Sequence, residues 1–279
     1  MPDIDNLVII QPKTYSEPYF LTTQTSNHGC PLFVFLPGID ETGKEVMYIQ
    51  TVGLEAAFDV RCFVIPPNNL TNWDEMTEEV ANLTEMELKE LRSRHEVSCH
   101  ETSPVYLYGE PFGGCLALKV SEKLPQLFTK IILTNPASSF PHVPWLNLGS
   151  RLFPSTPQLV YKLSSFMSLP FLVNLRRVSP AARQALLKST QSTPKRTTNQ
   201  RLTVTRRFDI DENKLAQVTQ PVLLLASSNN QVLPSQSEAQ RLHEIFTSSQ
   251  MITLPHSSHT CLVENSVSLY EILLLTNFI

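Results

Sequence analysis

The stretch VYLYGEPFGGCLALKV (residues 105–120) predicts a buried strand, a tight turn and the start of a helix. Residues 105–108 are apolar or aromatic without interruption, which is typical of a strand buried on both faces of a parallel sheet. Gly109 and Gly113 bracket the turn, although the chain has only 8 glycines in 279 residues. Because glycine is used so sparingly, we expect it where the backbone conformation requires it, and this turn is such a place.

Five other short apolar runs, rich in β-branched and aromatic residues, predict further strands at 32–36, 60–65, 131–134, 222–226 and 251–254. Helical patterns lie between them, at 44–57, 73–94, 114–124, 235–246 and 261–278. Alternation of this kind implies right-handed crossovers between parallel strands. The predicted fold class is therefore α/β, with a mostly parallel, doubly wound sheet.

The segment 140–210 interrupts this alternation with seven prolines and several amphipathic stretches. We predict that it is a helical lid inserted between two core strands. The chain is then divided into a first core part at 1–139, the insertion at 140–210 and a last core part at 211–279.

The insertion is also basic, with eleven Lys and Arg and no Asp or Glu between residues 140 and 208. This excess lies beside Phe153, Phe166, Met167 and Phe171, which favours an anionic or membrane-surface substrate. The alternative is a lid whose apolar side packs on the core and whose basic side is solvated. Most amphipathic helices of globular proteins are of this second kind.

Composition excludes several classes of protein. A formal net charge of −4 and a pI near 6.0 indicate no global attraction to nucleic acid. The N-terminus has no secretory pattern, and no window of 18 apolar residues is present, which predicts a cytoplasmic protein whose membrane contact, if any, is peripheral. The five cysteines form no CxxC pair and indicate a reducing compartment; they are Cys30, Cys62, Cys99, Cys115 and Cys261.

No cofactor motif is found, and a metal site is not expected either. His256 and His259 have the i,i+3 spacing of some metal ligands, but no third ligand is near them in sequence.

The turn at 109–113 has the spacing of G-x-S-x-G, the nucleophile elbow of serine hydrolases, with Pro111 in the place of serine. Three other segments follow predicted strands in the order that such a site requires: 32–40 for the oxyanion loop, 223–235 for the acid and 254–264 for the histidine. The oxyanion hole is predicted at the backbone N–H groups of Ile39 and Phe112.

These segments resemble the α/β-hydrolase superfamily and, within it, the acyltransferase-like branch of plastids and cyanobacteria that includes phytyl ester synthases and diacylglycerol acyltransferase-like esterases. The motifs that carry the resemblance are LPGID-x-TG (36–43), FDVRCFVIPP (58–67), GE-x-FGGCLALKV (109–120), NPASSF (135–140), QPVLLLAS (220–227), LPS-x-x-EAQRL (233–242) and H-T-C-L-x-E (259–264). The resemblance implies acyl chemistry on lipid-like esters, through an acyl-enzyme on the elbow serine. It also implies a substrate pocket beside Gly38, Asp40 and Glu110.

This sequence departs from the family pattern at the reacting groups. Pro111 replaces the serine, Asn230 stands at the acid position, Ser258 replaces the glycine before the histidine, and Glu41 replaces a glycine of the oxyanion loop. Of the triad, His259 alone is kept.

Proline has no hydroxyl, so no acyl-enzyme forms on residue 111. Its ring holds φ near about −65°, whereas the elbow nucleophile usually has positive φ, so the turn is expected to be re-formed. An amide at Asn230 cannot supply the carboxylate charge that stabilises a histidinium.

Several other side chains are candidate substitutes for the missing serine. Cys115 lies one helical turn past Pro111 and is expected in the core, as free cysteines usually are. Glu110 is either a base acting through water or a polar neighbour of the turn. Four serines are expected at strand ends near the pocket, none of them on an elbow: Ser138, Ser139, Ser227 and Ser228.

Three functions are compatible with these residues. The first is a hydrolase-fold protein of a lipid esterase or acyltransferase family that is catalytically impaired and still binds a lipid ester. The second is a non-catalytic binding or interaction scaffold. The third is an active enzyme whose serine was altered in this copy of the sequence.

Overall fold

Seven strands lie within residues 17–22, 30–39, 44–94 and 104–279, the part of the chain that this computed structural model describes. In chain order they are β1 (Tyr19–Thr22), β2 (Leu32–Leu36), β3 (Asp59–Val64), β4 (Val105–Gly109), β5 (Lys130–Thr134), β6 (Val222–Ser227) and β7 (Ser249–Leu254). They form one sheet in the order β1-β3-β2-β4-β5-β6-β7. β1 is antiparallel to β3 and all other neighbours are parallel, which confirms the predicted α/β class.

The six predicted strands are confirmed to within two residues at either end, and β1 was missed. β1 has only four residues and pairs with a single neighbour, β3. An edge strand of this length carries too few residues to show either an alternating or a continuous apolar pattern.

Ten α-helices are present in the described residues. They are α1 (Lys44–Thr51), α2 (Trp73–Arg94), α3 (Phe112–Lys123), α4 (Pro144–Leu152), α5 (Gln158–Leu172), α6 (Pro180–Ser192), α7 (Lys195–Arg206), α8 (Glu212–Leu215), α9 (Ser235–Ile245) and α10 (Leu269–Leu275). Short 3₁₀ turns occur at Leu54–Ala56, Pro125–Leu127, Ala137–His142, Phe153–Ser155 and Cys261–Val263.

The single helix predicted over 261–278 is wrong. The segment begins as the 3₁₀ turn Cys261–Val263, and α10 starts only at Leu269. Ser268 accepts a hydrogen bond from the N–H of Glu271 and so caps α10. The signal was present in the sequence, because Ser268-x-x-Glu271 has the spacing of a capping box.

Strand β2 shows why its apolar run is continuous. Val34 and Leu36 pack in the hydrophobic cluster on one side of the sheet, and Phe33 and Phe35 pack in the cluster on the other side. All four side chains are fully buried. Burial on both faces removes the need for polar residues at alternate positions.

The helices α4 to α8 lie between β5 and β6 along the chain, where the insertion was predicted. The end of α5 is tied to the loop that carries His259, since the N–H of Thr260 donates to the carbonyl of Leu172 at 2.9 Å. Arg177 adds an ion pair to the buried Glu264, with 3.0 Å between Nε and the carboxylate. The division of the chain at residues 140 and 210 stays a prediction.

The expectation that the apolar side of the insertion packs on the core is wrong for three of its residues. Phe166, Met167 and Phe171 are 57%, 73% and 55% exposed. Phe153, by contrast, is partly buried and faces the interior of the insertion against Tyr161. Within the described ranges, no helix has both the length and the apolar character needed to cross a membrane.

Candidate functional site

The turn between β4 and α3 depends on its glycines for close packing. A Cβ atom on Gly113 would lie 2.0 Å from the carbonyl oxygen of Leu36, and one on Gly109 would lie 2.3 Å from the carbonyl oxygen of Gly113. The N–H of Gly113 donates to the carbonyl of Pro37 at 2.9 Å. The G-x-x-x-G spacing therefore places α3 directly against the loop that follows β2, whether or not a serine is present.

Pro111 occupies the position of the nucleophile with an ordinary helical backbone. Its φ and ψ are −55° and −41°, and α3 begins at the next residue. None of the residues 109–113 has positive φ. The carbonyl of Pro111 accepts hydrogen bonds from the N–H groups of Cys115 and Ala137. The turn is thus re-formed as expected, without the strained conformation of a nucleophile elbow.

A cavity of about 290 Å³ lies beside Pro111 and beneath the helical insertion. Gly38, Ile39, Phe112 and His259 line it together with Pro111, so the structure brings the predicted oxyanion residues and the retained histidine to one place. The remaining lining is contributed largely by apolar and hydroxyl side chains, and no Asp, Glu, Lys or Arg takes part. The cavity is therefore an uncharged, mainly apolar space, of the kind that binds small apolar ligands.

His259 has no partner that would orient it as a catalytic base. Its Nδ1 is buried and has no hydrogen-bond partner among the described residues. Burial lowers the pKa of His259 to about 4, because the charged imidazolium loses its hydration there. At neutral pH the ring is uncharged.

This burial predicts a pH dependence of stability. The unfolded chain binds a proton at this position below about pH 6.5 and the folded protein does so only below about pH 4, so stability falls as the pH drops through that interval. The free energy of unfolding falls by about 3 kcal/mol over this interval. Chemical unfolding of the natural protein and of His259→Gln at several pH values measures this change. The contributions of all other titrating groups cancel in the difference between the two proteins. Parallel pH profiles would contradict the expectation.

Asn230 does not hydrogen-bond Nδ1 of His259, which has no partner among the described residues. Its Oδ1 accepts from the N–H groups of Val232 and Leu233 at 2.9 and 3.0 Å, and its Nδ2 donates to Ser235 at 2.6 Å. The side chain thus orders the loop that leads into α9, a common role of asparagine in turns.

Ser258, which stands where the family pattern has a glycine before the histidine, also makes structural hydrogen bonds. Its hydroxyl donates to Glu264 and accepts from the N–H of Asn174. It joins the loop after β7 to the segment that follows α5.

Glu110 was predicted to line the substrate pocket, and this is wrong. It is buried, and its carboxylate accepts hydrogen bonds from Gln50 and from the hydroxyl of Tyr108. Tyr108 packs in the cluster on the side of the sheet away from Phe112. Residues two apart in an extended segment point the same way, so the period of β4 was a signal for this orientation.

Two predicted positions, Asp40 and Glu41, lie outside the described residues, as does Cys99. Cys115 is fully buried in the core, and burial raises the pKa of its thiol well above the usual range, which keeps it unreactive.

None of the four candidate serines lines the cavity. Ser138 donates to the buried carboxylate of Glu238, and Ser228 accepts from the N–H of His256. Ser227 accepts from Asn135, and Ser139 is buried. The lining includes one other serine, Ser168 of α5.

Sequence reasoning missed Asn135, which holds the histidine loop in place. Its Oδ1 accepts from the N–H of Ser227, and its Nδ2 donates to the carbonyl of His259. Its φ is 46°, a region that asparagine tolerates better than most residues. Asn135-Pro136 directly after a buried strand was the available signal.

Comparison with known proteins agrees with this architecture. A family model described as "Serine aminopeptidase, S33" matches residues 57–266, which is well over half of the chain. Phytyl ester synthase 1, chloroplastic, of Arabidopsis thaliana is 29% identical over 265 residues. That match covers 87% of this chain and 36% of the relative, so the chain spans about a third of the length of that protein.

Two solved structures show the same fold at low sequence identity. An esterase from Thermogutta terrifontis has a TM-score of 0.70 at 17% identity, covering 94% of this chain and 92% of the esterase. A membrane phospholipase A, described as a bacterial virulence factor, also has a TM-score of 0.70, at 16% identity, covering 93% of this chain and 81% of the phospholipase. The chain therefore belongs to the α/β-hydrolase superfamily, in the family described as serine aminopeptidase S33 and on the branch of the phytyl ester synthases.

Proposed function

We propose that this chain binds an uncharged lipid ester, with an acyl or isoprenoid chain, in the cavity beside Pro111, and that it does not form an acyl-enzyme there. The observation that carries the proposal is the combination of an apolar cavity under the insertion with a proline at the nucleophile position. The names of the relatives, a phytyl ester synthase and a phospholipase, support lipid esters as the ligand class.

The charge of the cavity favours a neutral ligand. No Asp, Glu, Lys or Arg lines it, and His259 is uncharged at neutral pH. A fatty-acid carboxylate would have to lose its hydration without gaining a counter-charge, which is costly. An ester group carries no net charge, so it loses far less hydration free energy on entering the cavity. The neutral imidazole of His259 has one N–H that can donate to the ester carbonyl.

The loss of acyl transfer rests on two residues. Pro111 offers no atom that can attack a carbonyl. Asn230 is held by Val232, Leu233 and Ser235, so it leaves Nδ1 of His259 without the acceptor that orients a catalytic histidine.

An active form with serine at position 111 is the second candidate. It is favoured by the glycine packing, because Gly109 and Gly113 still hold α3 against the oxyanion loop as a working elbow requires. The double variant Pro111→Ser, Asn230→Asp restores the nucleophile and the acid and tests this candidate.

Filling the cavity is the direct test of ligand binding. Thr190 of α6 lines the cavity, so Thr190→Phe is expected to weaken binding of a radiolabelled phytyl ester of a fatty acid, measured in detergent micelles, by about tenfold or more. Thr203→Phe is the matched control. Both threonines are partly exposed on helices of the insertion and bond a backbone carbonyl of their own helix, but Thr203 does not line the cavity.

Equal affinity of both variants would contradict cavity binding. Binding of the free fatty acid as tight as that of the ester would overturn the preference for a neutral ligand. We also propose that the protein meets this ligand at a lipid surface, since such esters have little solubility in water.

A further inference from the structure

Two helices of the insertion, α4 and α5, expose an apolar face to solvent. Nine large apolar side chains on them are between 49% and 73% exposed. They are Trp145, Leu148, Leu152, Leu159, Val160, Leu163, Phe166, Met167 and Phe171. We call this set the outer face of α4 and α5.

The outer face is continuous along each helix. Trp145, Leu148 and Leu152 are spaced by three and four residues on α4, and Leu159, Leu163 and Phe166 follow the same rule on α5. Side chains three and four apart lie on one side of a helix. These positions therefore form a stripe on each helix rather than isolated exposed residues.

The opposite side of the same two helices borders the cavity. Leu146 of α4 and Tyr161, Ser168 and Leu172 of α5 line it. Each of the two helices thus has the cavity on one side and its exposed apolar residues on the other. A lipid bound to the outer face would be separated from the cavity by a single helix layer.

Exposed apolar residues are concentrated in this region. Nine of the fifteen large exposed hydrophobic side chains in the described residues fall between 145 and 171, and the other six lie on α1 or directly after it, on α2 and in the C-terminal segment. Single exposed apolar residues are normal, but a contiguous cluster marks an interaction surface.

The insertion that carries the outer face is rich in basic residues. The chain has a net charge of −4, yet residues 140–208 contain eleven Lys and Arg and no acid. Arg151 lies on α4 among the exposed apolar residues, and Arg176 and Arg196 of the insertion are also exposed. An apolar stripe with basic neighbours is the pattern of helices that lie in the plane of an anionic membrane surface.

We propose that the outer face of α4 and α5 docks onto an anionic lipid surface, with both helices lying in the plane of the interface and their apolar side chains inserted into it. The lipid headgroups contact the basic residues, and the cavity lies directly above the inserted helices. This inference rests on the proposed function only for the ligand that the cavity holds. Docking to the membrane itself does not require a ligand in the cavity.

Vesicle co-sedimentation of the full chain tests this surface. We expect binding to phosphatidylcholine vesicles that contain phosphatidylglycerol, and much weaker binding to vesicles of phosphatidylcholine alone. Met167→Gln and Leu159→Gln are each expected to weaken binding by about tenfold, because inserting one such side chain contributes roughly that factor.

Matched controls are available elsewhere on the surface. Met86 of α2 and Leu275 of α10 are 64% and 83% exposed, close to the 73% of Met167 and the 71% of Leu159. Met86→Gln and Leu275→Gln should leave vesicle binding unchanged. All four variants are at exposed positions, and thermal unfolding verifies that each is folded.

Three outcomes would overturn the proposal. They are absence of binding to either vesicle, equal losses in the variants and their controls, and equal binding to charged and uncharged vesicles. A dimer in solution that Met167→Gln dissociates, seen by light scattering, would instead assign the outer face to a second copy of the chain. Failure of ester binding in the cavity, by contrast, would leave vesicle binding unaffected.

Discussion

The double variant Pro111→Ser, Asn230→Asp is expected to gain covalent labelling by a fluorophosphonate probe at residue 111, whereas the natural chain stays unlabelled. Serine supplies the missing hydroxyl, and it has no ring that holds φ near −55°. Gly109 and Gly113 already hold the turn against the loop that follows β2, and His259 borders the cavity beside Pro111.

The single variant Pro111→Ser is expected to label about 10⁴-fold more slowly than the double variant. An asparagine in place of the triad aspartate reduces activity by about that factor, because the histidine loses its orientation and its compensating charge. The carboxylate that Asn230→Asp introduces can keep the hydrogen bonds from the N–H groups of Val232 and Leu233, and it no longer donates to Ser235. Its second oxygen can accept from the hydroxyl of Ser235 and keeps a further lone pair, which the N–H of His259 has to reach if the triad is to form.

Rates of probe attachment, with the labelled peptide identified by mass spectrometry, distinguish the outcomes. Pro111→Ala with Asn230→Asp is the control and should stay unlabelled, since it relieves the ring constraint without adding a nucleophile. Labelling of the natural chain would refute the proposal that it is inactive. An unlabelled double variant would exclude the active form with serine as the second candidate.

Gly113→Ala is expected to destabilise the protein by more than about 4 kcal/mol, or to prevent folding. The added Cβ would lie 2.0 Å from the carbonyl oxygen of Leu36 and 2.7 Å from that of Pro37. Both contacts are with backbone, which cannot move aside without separating β2 from α3.

Gly149→Ala is the matched control for this substitution. Nothing lies within 4 Å of a Cβ at Gly149, which is inside α4, so alanine there should stabilise by up to about 1 kcal/mol through its helix propensity. Urea unfolding followed by circular dichroism gives both values. A loss below about 1 kcal/mol at Gly113 would show that the turn tolerates a side chain and that its glycine spacing has another cause.

Most of the sheet was predicted correctly because strands buried on both faces appear in the sequence as uninterrupted apolar runs. β2 and β4 are continuous apolar runs, and their interiors are buried on both faces. The site was predicted from the order of the loops after these strands, and Ile39, Phe112 and His259 do meet at one cavity. Parallel strands end at one edge of a sheet, so their loops converge wherever the alternation is read correctly.

The orientation of individual side chains was not predictable in the same way. Glu110 was assigned to the substrate pocket and Asn230 to the acid position of the triad, both from their positions in motifs. In the structure, the carboxylate of Glu110 accepts hydrogen bonds from Gln50 and Tyr108, and Asn230 accepts hydrogen bonds from its own loop. The period of β4 indicated the side of the sheet on which Glu110 lies, but its partner Gln50 is 60 residues away in the chain, and no local pattern encodes that contact. Asn230 bonds residues of its own loop, a local turn role that its motif position did not reveal.

The α/β class, the place of the turn at 109–113 and the absence of a nucleophilic side chain at residue 111 follow from the amino-acid sequence alone, because apolar periodicity, glycine spacing and the chemistry of a side chain are local properties. The folded arrangement was needed to show that Nδ1 of His259 has no partner among the described residues and that Phe166 and Met167 face outward. An amphipathic pattern shows that a helix has two different sides. Which side meets the core is set by the packing of the elements around it, since burial is a property of the whole fold.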